Sequence, residues 1–581
     1  MQYNLNMGPV LIRCHLLLSL SFSVLISLCT SDLLYSQEKS KDKGSLSGSF
    51  QSSSNLFIRD SLIGAANIPQ YDNERFGTQA WLELGYNYQG FDLGVRFDMF
   101  NNSNLLNPTQ SYTDEGIGRW HIAKSLDKFN IRVGHIYDQI GSGIIYRAYE
   151  ERALLIDNAL LGARVIYTLS DDWSIKAFAG RQRFLFDTYD PTIRGANLDG
   201  FINLTKDTTG ATIFTLAPGI GVVNRTLNRE TVDAIGSAIR NYSPEDQFEL
   251  FSNTYSFTLY NTLTVGPFSF FAEVSQKSAE AFFDPDAPLR QLIGPSVTGG
   301  WVRERGQIYY GSLSYAGHGL GITLEAKRTE NFDFRADPQL SLLQGLITFI
   351  PPMNRANTYR LTARYSPATQ TISEQAYQAD IRYRVNKKLS LLANYSFINS
   401  IEGEKLFREL FTEVAYKPNR EWQLKGGLQL VNYNQERYEI KPEVPIVETI
   451  TPYMDILYKI SRKKSIRLEM QYMLIGDDEK AGLKQDYGDW LFFLVEYGVA
   501  PNWSFVVSDM YNSSAGKNTP IGDNGERVLL HYPRFDIYYT KKANRFSLSY
   551  IKQVEGIVCN GGVCRLEPAF SGINFSINST F

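Results

Sequence analysis

Apolar and polar residues alternate along many short stretches of this chain. In residues 91–99, the alternating apolar residues are Phe91, Leu93, Val95, Phe97 and Met99. Because successive side chains of a strand point to opposite faces, each such stretch predicts a strand with one apolar and one polar face. The same alternation recurs in residues 359–365, 377–385 and 466–474. The pattern predicts an all-β protein.

The last strand of this kind ends on an aromatic residue. Its apolar face includes Phe575, Ile577 and Phe581, while asparagine, serine and threonine occupy the other face. An amphipathic strand of this kind is typical of bacterial outer-membrane β-barrels. We expect these three residues to close the barrel and to form the signal that the barrel-assembly machinery recognises.

A soluble β-sandwich also alternates apolar and polar residues, with its polar face in water. The membrane barrel is favoured because the apolar face is rich in aromatic residues and because short and long connections alternate. Residues 45–581 are predicted to form a single large antiparallel transmembrane barrel with short periplasmic turns and long extracellular loops. The expected number is about 26 strands, within a range of roughly 22–26. It includes residues 359–365 and, with a weaker signal, residues 344–350, joined by a periplasmic turn at residues 351–357.

Three short turns place a tryptophan at the start of the following strand: Trp173, Trp422 and Trp503. At a lipid–water boundary, the ring of a tryptophan contacts lipid while its N–H stays hydrated. These residues are predicted to belong to a periplasmic aromatic girdle in contact with outer-membrane lipid. Ordinary turn tryptophans are the alternative.

Composition narrows the class further. The chain of 581 residues contains Tyr 35, Phe 35 and Gly 45 but only Cys 4, which suits a membrane barrel with aromatic girdles. Beyond the N-terminus there is no run of about 18 apolar residues, which excludes a helical membrane protein. A net charge of -3 without a basic stripe gives no case for nucleic-acid binding.

The N-terminus has the pattern of a Sec-type signal peptide, because Arg13 precedes an apolar stretch at residues 16–28. Residues 1–36 are the predicted signal peptide, with cleavage after Ser36 preferred to cleavage after Ser31; the bulky Leu28 disfavours lipidation at Cys29. Only the polar residues 37–44 then precede the barrel, too few for the plug domain of a TonB-dependent receptor. We expect the lumen to be narrowed by the chain's own loops or by another protein.

Four predicted outer segments hold more apolar residues than an exposed loop needs: residues 140–158, residues 226–251 with a short helix capped by Asn228, residues 279–305 and residues 331–343. Folding inward or docking a partner would bury these residues. Crowding among the loops themselves is the alternative.

Residues 140–158 are the best candidate site, because Arg147, Glu150, Glu151 and Arg152 combine both signs of charge. Inside the lumen they would brace the loop as a salt-bridged network, which is the favoured interpretation, or present a charged screen to solutes. The Gly-Ser-Gly that begins at Gly141 predicts a hinge or tight turn and lacks the context of a phosphate loop.

Further charged residues are predicted to face the lumen: Arg360, Arg364, Asp380, Arg382, Arg384, Arg467 and Glu469. Charged rings tune the selectivity of a pore. The leading hypothesis is therefore a channel or transport pore for polar solutes. The alternative is a structural or assembly barrel whose lumen or outer loops bind a lipoprotein or surface protein. Both stay open, since any wide barrel has a charged interior.

Residues Cys559 and Cys564 remain after removal of the signal peptide, on a hairpin predicted to face outward. Exported proteins meet oxidising conditions, so a disulfide across the Asn-Gly-Gly turn is expected. Two cysteines lack the further ligands of a structural zinc site. We predict no metal and no cofactor.

The histidines of the exported chain form no recognisable catalytic pairing; they are His121, His135, His318 and His531. The first two flank a short turn, where two imidazoles can meet without chemistry. We predict no catalytic residues and no enzymatic activity.

Two stretches carry a more particular resemblance. They are Gly141-Ser-Gly-Ile-Ile-Tyr-Arg-Ala-Tyr-Glu-Glu-Arg-Ala-Leu-Leu-Ile-Asp157 and Gly561-Gly-Val-Cys-Arg-Leu-Glu-Pro-Ala-Phe570. Both are similar to an uncharacterised family of large outer-membrane β-barrel proteins from the Bacteroidota. The resemblance covers nearly the whole exported chain. It implies a barrel fold and integral location in the outer membrane after Sec export, and it implies no activity.

Overall fold

The computed structural model describes residues 44–206, 212–341, 344–369, 372–441, 444, 446–560 and 563–581. The predicted signal peptide and residues 37–43 lie outside these ranges. Among the described residues, no helix is long and apolar enough to cross a membrane.

Within the described ranges, 24 strands form the barrel wall. The first half consists of β1 Ser45–Phe57, β2 Phe76–Tyr88, β3 Phe91–Ser103, β4 Tyr112–Leu126, β5 Phe129–Ile136, β6 Leu160–Ser170, β7 Trp173–Phe184, β8 Asp187–Gly200, β9 Thr212–Thr226, β10 Asn253–Val265, β11 Phe268–Leu289 and β12 Val297–Gly317. The second half consists of β13 Leu320–Glu330, β14 Glu374–Arg384, β15 Leu389–Ser400, β16 Lys405–Tyr416, β17 Trp422–Tyr433, β18 Val447–Lys459, β19 Lys464–Ile475, β20 Trp490–Val499, β21 Trp503–Asn512, β22 His531–Lys541, β23 Asn544–Gln553 and β24 Phe570–Thr580.

Consecutive strands pair in antiparallel fashion around the sheet, and β24 closes it against β1. The closing register places Ser49 opposite Thr580 and Phe57 opposite Gly572. Reciprocal backbone hydrogen bonds join Gly48 and Phe581, with N–O distances of 2.8 and 2.9 Å. The prediction that the last strand closes an antiparallel barrel is therefore confirmed. Closure leaves no unpaired sheet edge, so the wall satisfies its own backbone groups.

The wall has 24 strands, which is fewer than the expected number of about 26 but within the predicted range of roughly 22–26. Residues 344–350 and 359–365 are not strands, and β13 pairs directly with β14. The alternation in residues 359–365 has another cause. Tyr359, Leu361 and Tyr365 are buried in the interior, whereas Arg360 is exposed. The predicted periplasmic turn at residues 351–357 disappears with these strands.

The wall has an exposed apolar face and a buried, more polar face, as the alternation predicts. On β19, Leu468, Met470 and Leu474 are exposed, while Glu469 and Gln471 are buried. Because folded chain contacts the buried face, that face is the inside of the barrel. The apolar side chains on the outer face would be shielded from water only if an apolar phase surrounded the barrel.

In the described ranges, three α-helices connect strands: α1 Pro69–Asp72, α2 Arg229–Ile239 and α3 Gln435–Glu439. The helix predicted within residues 226–251 is confirmed as α2. Asn228 precedes it in an extended conformation, but the Asn228 side chain makes no capping hydrogen bond.

The outer segment predicted at residues 279–305 is largely sheet. β11 and β12 extend through most of it, which leaves residues 290–296 between them. Further short strands are Glu150–Glu151, Ile156–Asp157, Ile202–Lys206, Asp477–Asp478, Leu483–Lys484, Gly556–Asn560 and Val563–Glu567. We call the end of the barrel at which β1 begins and β24 ends the lower end, and the opposite end the upper end.

Candidate functional site: the barrel interior

Two connections from the upper end fold against the inner face of the wall. The first inner segment, residues 137–159, joins β5 to β6, and the second inner segment, residues 331–373, joins β13 to β14. Their apolar residues pack with inward side chains of the wall such as Phe178, Val223 and Ile308. Burial of this apolar surface fixes both segments against the wall.

The first inner segment turns sharply at its glycines. Gly141 and Gly143 have φ angles of 57° and 102°, which glycine adopts without a steric penalty. The turn leads into Ile144 and Ile145, both completely buried. A Cβ at Gly221 of β9 would collide with Ile140, so this glycine leaves the space that Ile140 occupies.

A set of buried charges attaches the first inner segment to the wall. Arg96 donates to Asp98 (2.6 Å) and Asp157 (3.0 Å), and it also contacts Glu150. We call this set the charge network; its members are Glu83, Arg96, Asp98, Arg119, Glu150, Arg152, Asp157 and Arg183. It consists of four arginines and four carboxylates, so no net charge remains.

Arg119 and Tyr137 complete the charge network. Arg119 donates to Glu150 (3.1 Å) and to the Tyr137 hydroxyl (3.0 Å). The Tyr137 hydroxyl in turn donates to Asp157 (2.7 Å). Each buried carboxylate thereby has a donor, which is the condition under which buried charge is tolerated.

The two inner segments bond to each other. The backbone N–H of Arg147 donates to the carbonyl of Ile347 (2.9 Å), and that of Phe349 donates to Gly143 (3.0 Å). The Arg147 guanidinium lies 4.0 Å from the centroid of the Phe349 ring. Arg147 therefore joins one inner segment to the other through both its backbone and its side chain.

Inward side chains from widely separated strands bind the second inner segment. Wall donors reach its carbonyl groups as follows: Arg225 of β9 to Arg335 (3.0 Å), Lys277 of β11 to Asp333 (2.5 Å), Lys327 of β13 to Pro351 (2.8 Å) and Gln429 of β17 to Thr362 (2.9 Å). Gln471 of β19 accepts from the N–H of Leu361 at 2.8 Å. The segment therefore contacts the inner face of the wall over an arc from β9 to β19.

Arg364 occupies a buried aromatic and acidic environment at the upper end. Its guanidinium lies 5.0 Å from the Trp490 ring and 3.4 Å from Asp486. Asp486 also accepts from Tyr365 (2.6 Å) and Asn518 (2.9 Å). Burial by itself raises the pKa of Asp486, but Arg364 and these donors outweigh it and hold the pKa below the usual range.

Arg360 faces a different environment. It borders a cavity of about 500 Å³ that runs along the inner face of β19–β23. We call this space the wall cavity; its charged lining residues are Arg360, Arg467, Glu496, Arg534, Asp536, Arg545 and Lys552. Two of the predicted lumen residues, Arg360 and Arg467, thus meet there, although Arg360 belongs to the second inner segment and not to a strand.

The remaining predicted lumen residues occupy separate places. Glu469 pairs with Arg467, which also donates to Asp455 (2.9 Å). On β14, far from the wall cavity in strand order, Arg382 pairs with Asp380 at 2.8 Å, and Arg384 is exposed nearby. Glu151 caps the short turn of 3₁₀ helix Arg152–Leu154 by accepting from the Ala153 N–H.

Sequence reasoning overlooked the wall partners of these residues. Arg96 and Asp98 occupy polar positions of an alternating strand, but nothing local indicated that they meet residues 150–157. Arg183 gave no signal of its own. Arg534 and Arg545 lie on polar positions of β22 and β23, where the alternation was a usable signal.

Trp173, Trp422 and Trp503 begin β7, β17 and β21 and therefore share the lower end. Trp422 and Trp503 are exposed and pack beside Tyr458 and Tyr539 on neighbouring strands, with centroid separations of 4.5 and 4.6 Å. Their role as an interface girdle stays a prediction.

The backbones of Cys559 and Cys564 lie directly opposite each other in the hairpin of Gly556–Asn560 and Val563–Glu567. The Cys559 side chain and residues 561–562 lie outside the described residues, and the disulfide stays a prediction.

His121 and His135 take separate partners. His121 contacts Asp92 at 3.1 Å, and His135 lies against the backbone of Trp120 at 3.1–3.2 Å. In the described part of the chain, no group of three or more His, Cys, Asp or Glu residues is arranged to hold a metal ion.

A closed antiparallel barrel with an apolar exterior, a charged inner face and chain folded inside has the architecture of outer-membrane β-barrels. The architecture defines the class of the protein. Within this class, residues 13–581 match the model of DUF6029, a family of unknown function, and the chain belongs to that family.

Several solved structures are similar to this chain at a low level. The P pilus usher (PapC) translocation pore is 10% identical, with a TM-score of 0.42, over 92% of this chain and 99% of that chain. A ferric enterobactin receptor from Pseudomonas aeruginosa is 9% identical, with a TM-score of 0.41, over 93% and 81%. Pseudomonas aeruginosa OccK5 is 12% identical, with a TM-score of 0.35, over 75% and 98%. These values are too low to transfer any property, and no curated protein matches the chain.

Proposed function

We propose that the protein is an integral outer-membrane barrel that forms a pore for polar solutes, with its lumen narrowed by its own two inner segments. The lower end faces the periplasm, where the tryptophans contact the lipid boundary. The barrel-assembly machinery inserts the chain after Sec export and removal of the signal peptide. The proposal includes no catalytic step, cofactor or metal.

The attachment of the second inner segment to the inner face of the wall carries this proposal. Donors and acceptors from β9 to β19 hold the segment inside the wall. A barrel of this strand number would otherwise enclose a wide lumen. In this proposal a solute passes along the wall cavity, whose lining combines charged and polar side chains with apolar ones such as Phe492 and Met510.

Removal of the second inner segment tests the proposal directly. Residues 333–371 are replaced by a short Gly/Ser loop, which keeps β13 and β14 whole. The purified barrels are then compared by single-channel conductance in planar lipid bilayers. We expect small conductance steps for the wild-type protein and steps several-fold larger for the deletion. Equal conductance from a deletion variant that retains the β-sheet circular dichroism spectrum would contradict the proposal.

A matched control removes residues 233–250 instead, which keeps Thr231 and its hydrogen bond to Asp337 of the second inner segment (2.7 Å). The apolar residues of α2 pack with the β11–β12 hairpin, in a cluster separate from both inner segments. We expect this variant to conduct like the wild type. If the large deletion does not fold, the double substitution Gln429→Ala and Gln471→Ala removes two wall contacts of the segment and should give more frequent openings.

A second function, as a structural or assembly barrel, is supported by the loops at the upper end. Ile293, Ile440 and Ile521 are highly exposed there, with 91%, 82% and 63% of their surface accessible. A lipoprotein or surface protein that docked on these loops would bury them. Mild solubilisation and mass spectrometry test this function; recovery of the barrel without a stoichiometric partner, combined with conductance, would count against it.

A further inference from the structure

The wall cavity is lined by more basic than acidic residues, and only some of the basic residues form ion pairs. Five of them are basic and two are acidic. Most of the basic residues have nearby carboxylates: Arg534 bonds to Asp536 (2.9 Å), Lys552 pairs with Asp60 (2.7 Å) and Arg467 pairs with Asp455 (2.9 Å). Glu496 lies near Arg467 and accepts from Ser504 at 2.7 Å. These pairs leave little net charge.

Arg360 and Arg545 differ from the other basic residues. Among the described residues, no carboxylate lies within ion-pair distance of either guanidinium. Arg545 lies over the Tyr538 ring, with 4.6 Å between its guanidinium carbon and the ring centroid. Both side chains are exposed, and both border the wall cavity.

The carboxylate that acts on Arg360 already bonds to other side chains. Glu567 attracts Arg360 through space, but its carboxylate accepts from Gln553 (3.0 Å) and pairs with Arg565 (3.4 Å). Arg364 and Arg534 act on Arg360 with the same sign of charge. The potential around Arg360 is therefore positive, and an anion in the cavity would lower the electrostatic energy.

We propose that the wall cavity binds small multivalent oxyanions, solutes with carboxylate or phosphate groups, at the guanidinium groups of Arg360 and Arg545. The inference deepens the proposed function, because it gives the class of polar solute that the pore accepts. A volume of about 500 Å³ suits a small-molecule ligand. Guanidinium groups form paired hydrogen bonds with both carboxylate and phosphate.

Equilibrium dialysis of the full-length barrel in detergent at low ionic strength tests the inference, with citrate and inorganic pyrophosphate as separate probes. We expect saturable binding of at least one probe, and the comparison shows whether carboxylate or phosphate is preferred. Arg360→Gln and Arg545→Gln should each weaken binding by about tenfold, because each removes a charged hydrogen-bond donor. Neither substitution breaks an ion pair within the described residues, so folding should be kept.

Arg229→Gln is the matched control, because the Arg229 side chain is 94% exposed on α2, away from the wall cavity. Its binding should stay within about twofold of the wild type, as an exposed charge acts weakly. Unchanged affinity in both cavity variants, equal loss in the control, or no saturable binding overturns the inference.

Conductance separates this inference from the pore itself. Oxyanion binding that depends on Arg360 and Arg545 in a barrel without conductance would support the site and contradict the pore. A conducting barrel with no anion preference in its reversal potential, and with no oxyanion binding, would support the pore and overturn the site.

Discussion

The charge network and the wall cavity are both lined by arginine and carboxylate residues, yet their chemistry differs. In the charge network, four arginines meet four carboxylates, and Arg96 and Asp98 are almost completely buried. In the wall cavity, Arg360 and Arg545 have no carboxylate at ion-pair distance among the described residues and remain exposed. Balanced, buried charge holds a segment in place, whereas unbalanced, accessible charge is available to a solute.

The largest expected effect concerns the centre of the charge network. Arg96→Met leaves Asp98, Glu150 and Asp157 buried with fewer donors, so the free energy of unfolding should fall by about 3–5 kcal/mol. Urea unfolding in lipid vesicles, followed by tryptophan fluorescence, measures it. Arg382→Met is the control; it breaks an exposed pair with Asp380 and should cost no more than about 1 kcal/mol. Similar losses of unfolding free energy in both variants would contradict the distinction between the buried charge network and an exposed ion pair.

The next prediction concerns a smaller change in the free energy of unfolding and compares two arginines of the second inner segment. Arg364→Met removes the cation beside buried Asp486 and should cost about 2–3 kcal/mol, since the carboxylate loses a charged partner. Arg360→Met should change stability by less than about 1 kcal/mol, because it breaks no ion pair within the described residues. The same urea titration measures both, and a reversed order would show that Arg360 is structural.

Acid should reveal the contribution of Asp486. Its folded pKa lies below the usual value of 3.8, so its stabilisation is present above that value and is lost as pH falls through the folded pKa. The difference in unfolding free energy between the wild type and Asp486→Asn should therefore be constant from about pH 7 to pH 5 and shrink below about pH 4. A difference that already shrinks near neutral pH would indicate a raised pKa.

The smallest effect concerns the cysteine hairpin, which lies outside both regions. Alkylation without reductant should leave Cys559 and Cys564 unmodified, as mass spectrometry would show. Replacing both by serine should change the unfolding free energy by no more than about 2 kcal/mol, because the disulfide closes a very short loop. A larger loss, or free thiols, would contradict the predicted disulfide.

The sequence predicted the wall well because each wall strand sees the same two environments along its length. Alternation in residues 91–99 and 466–474 identifies β3 and β19 and their outer faces. The same signal failed at residues 359–365. There the chain forms a hydrogen-bonded turn, and Thr362 is buried together with the apolar residues, so the alternation does not separate two faces. An isolated stretch cannot show which surroundings produce its pattern.

The candidate site was predicted in part. Residues 140–158 were placed in the lumen as a charged segment, and Glu150 and Arg152 do meet arginine and carboxylate partners there. Their wall partners were not foreseen, because Arg96 and Arg183 are separated from them by whole strands. Arg360 borders the wall cavity, but it lies in the second inner segment and not on the strand that the sequence predicted.

By itself, the sequence determined the class of fold, the outer and inner faces of the wall strands, and the closing position of the last strand. These properties follow from local alternation, which depends on side-chain direction alone. Only the tertiary structure decided that the second inner segment contacts the wall from β9 to β19, that the charge network is balanced, and that Arg360 and Arg545 share a cavity. Such pairings depend on which strands the closed barrel brings together, and no local pattern encodes that distance.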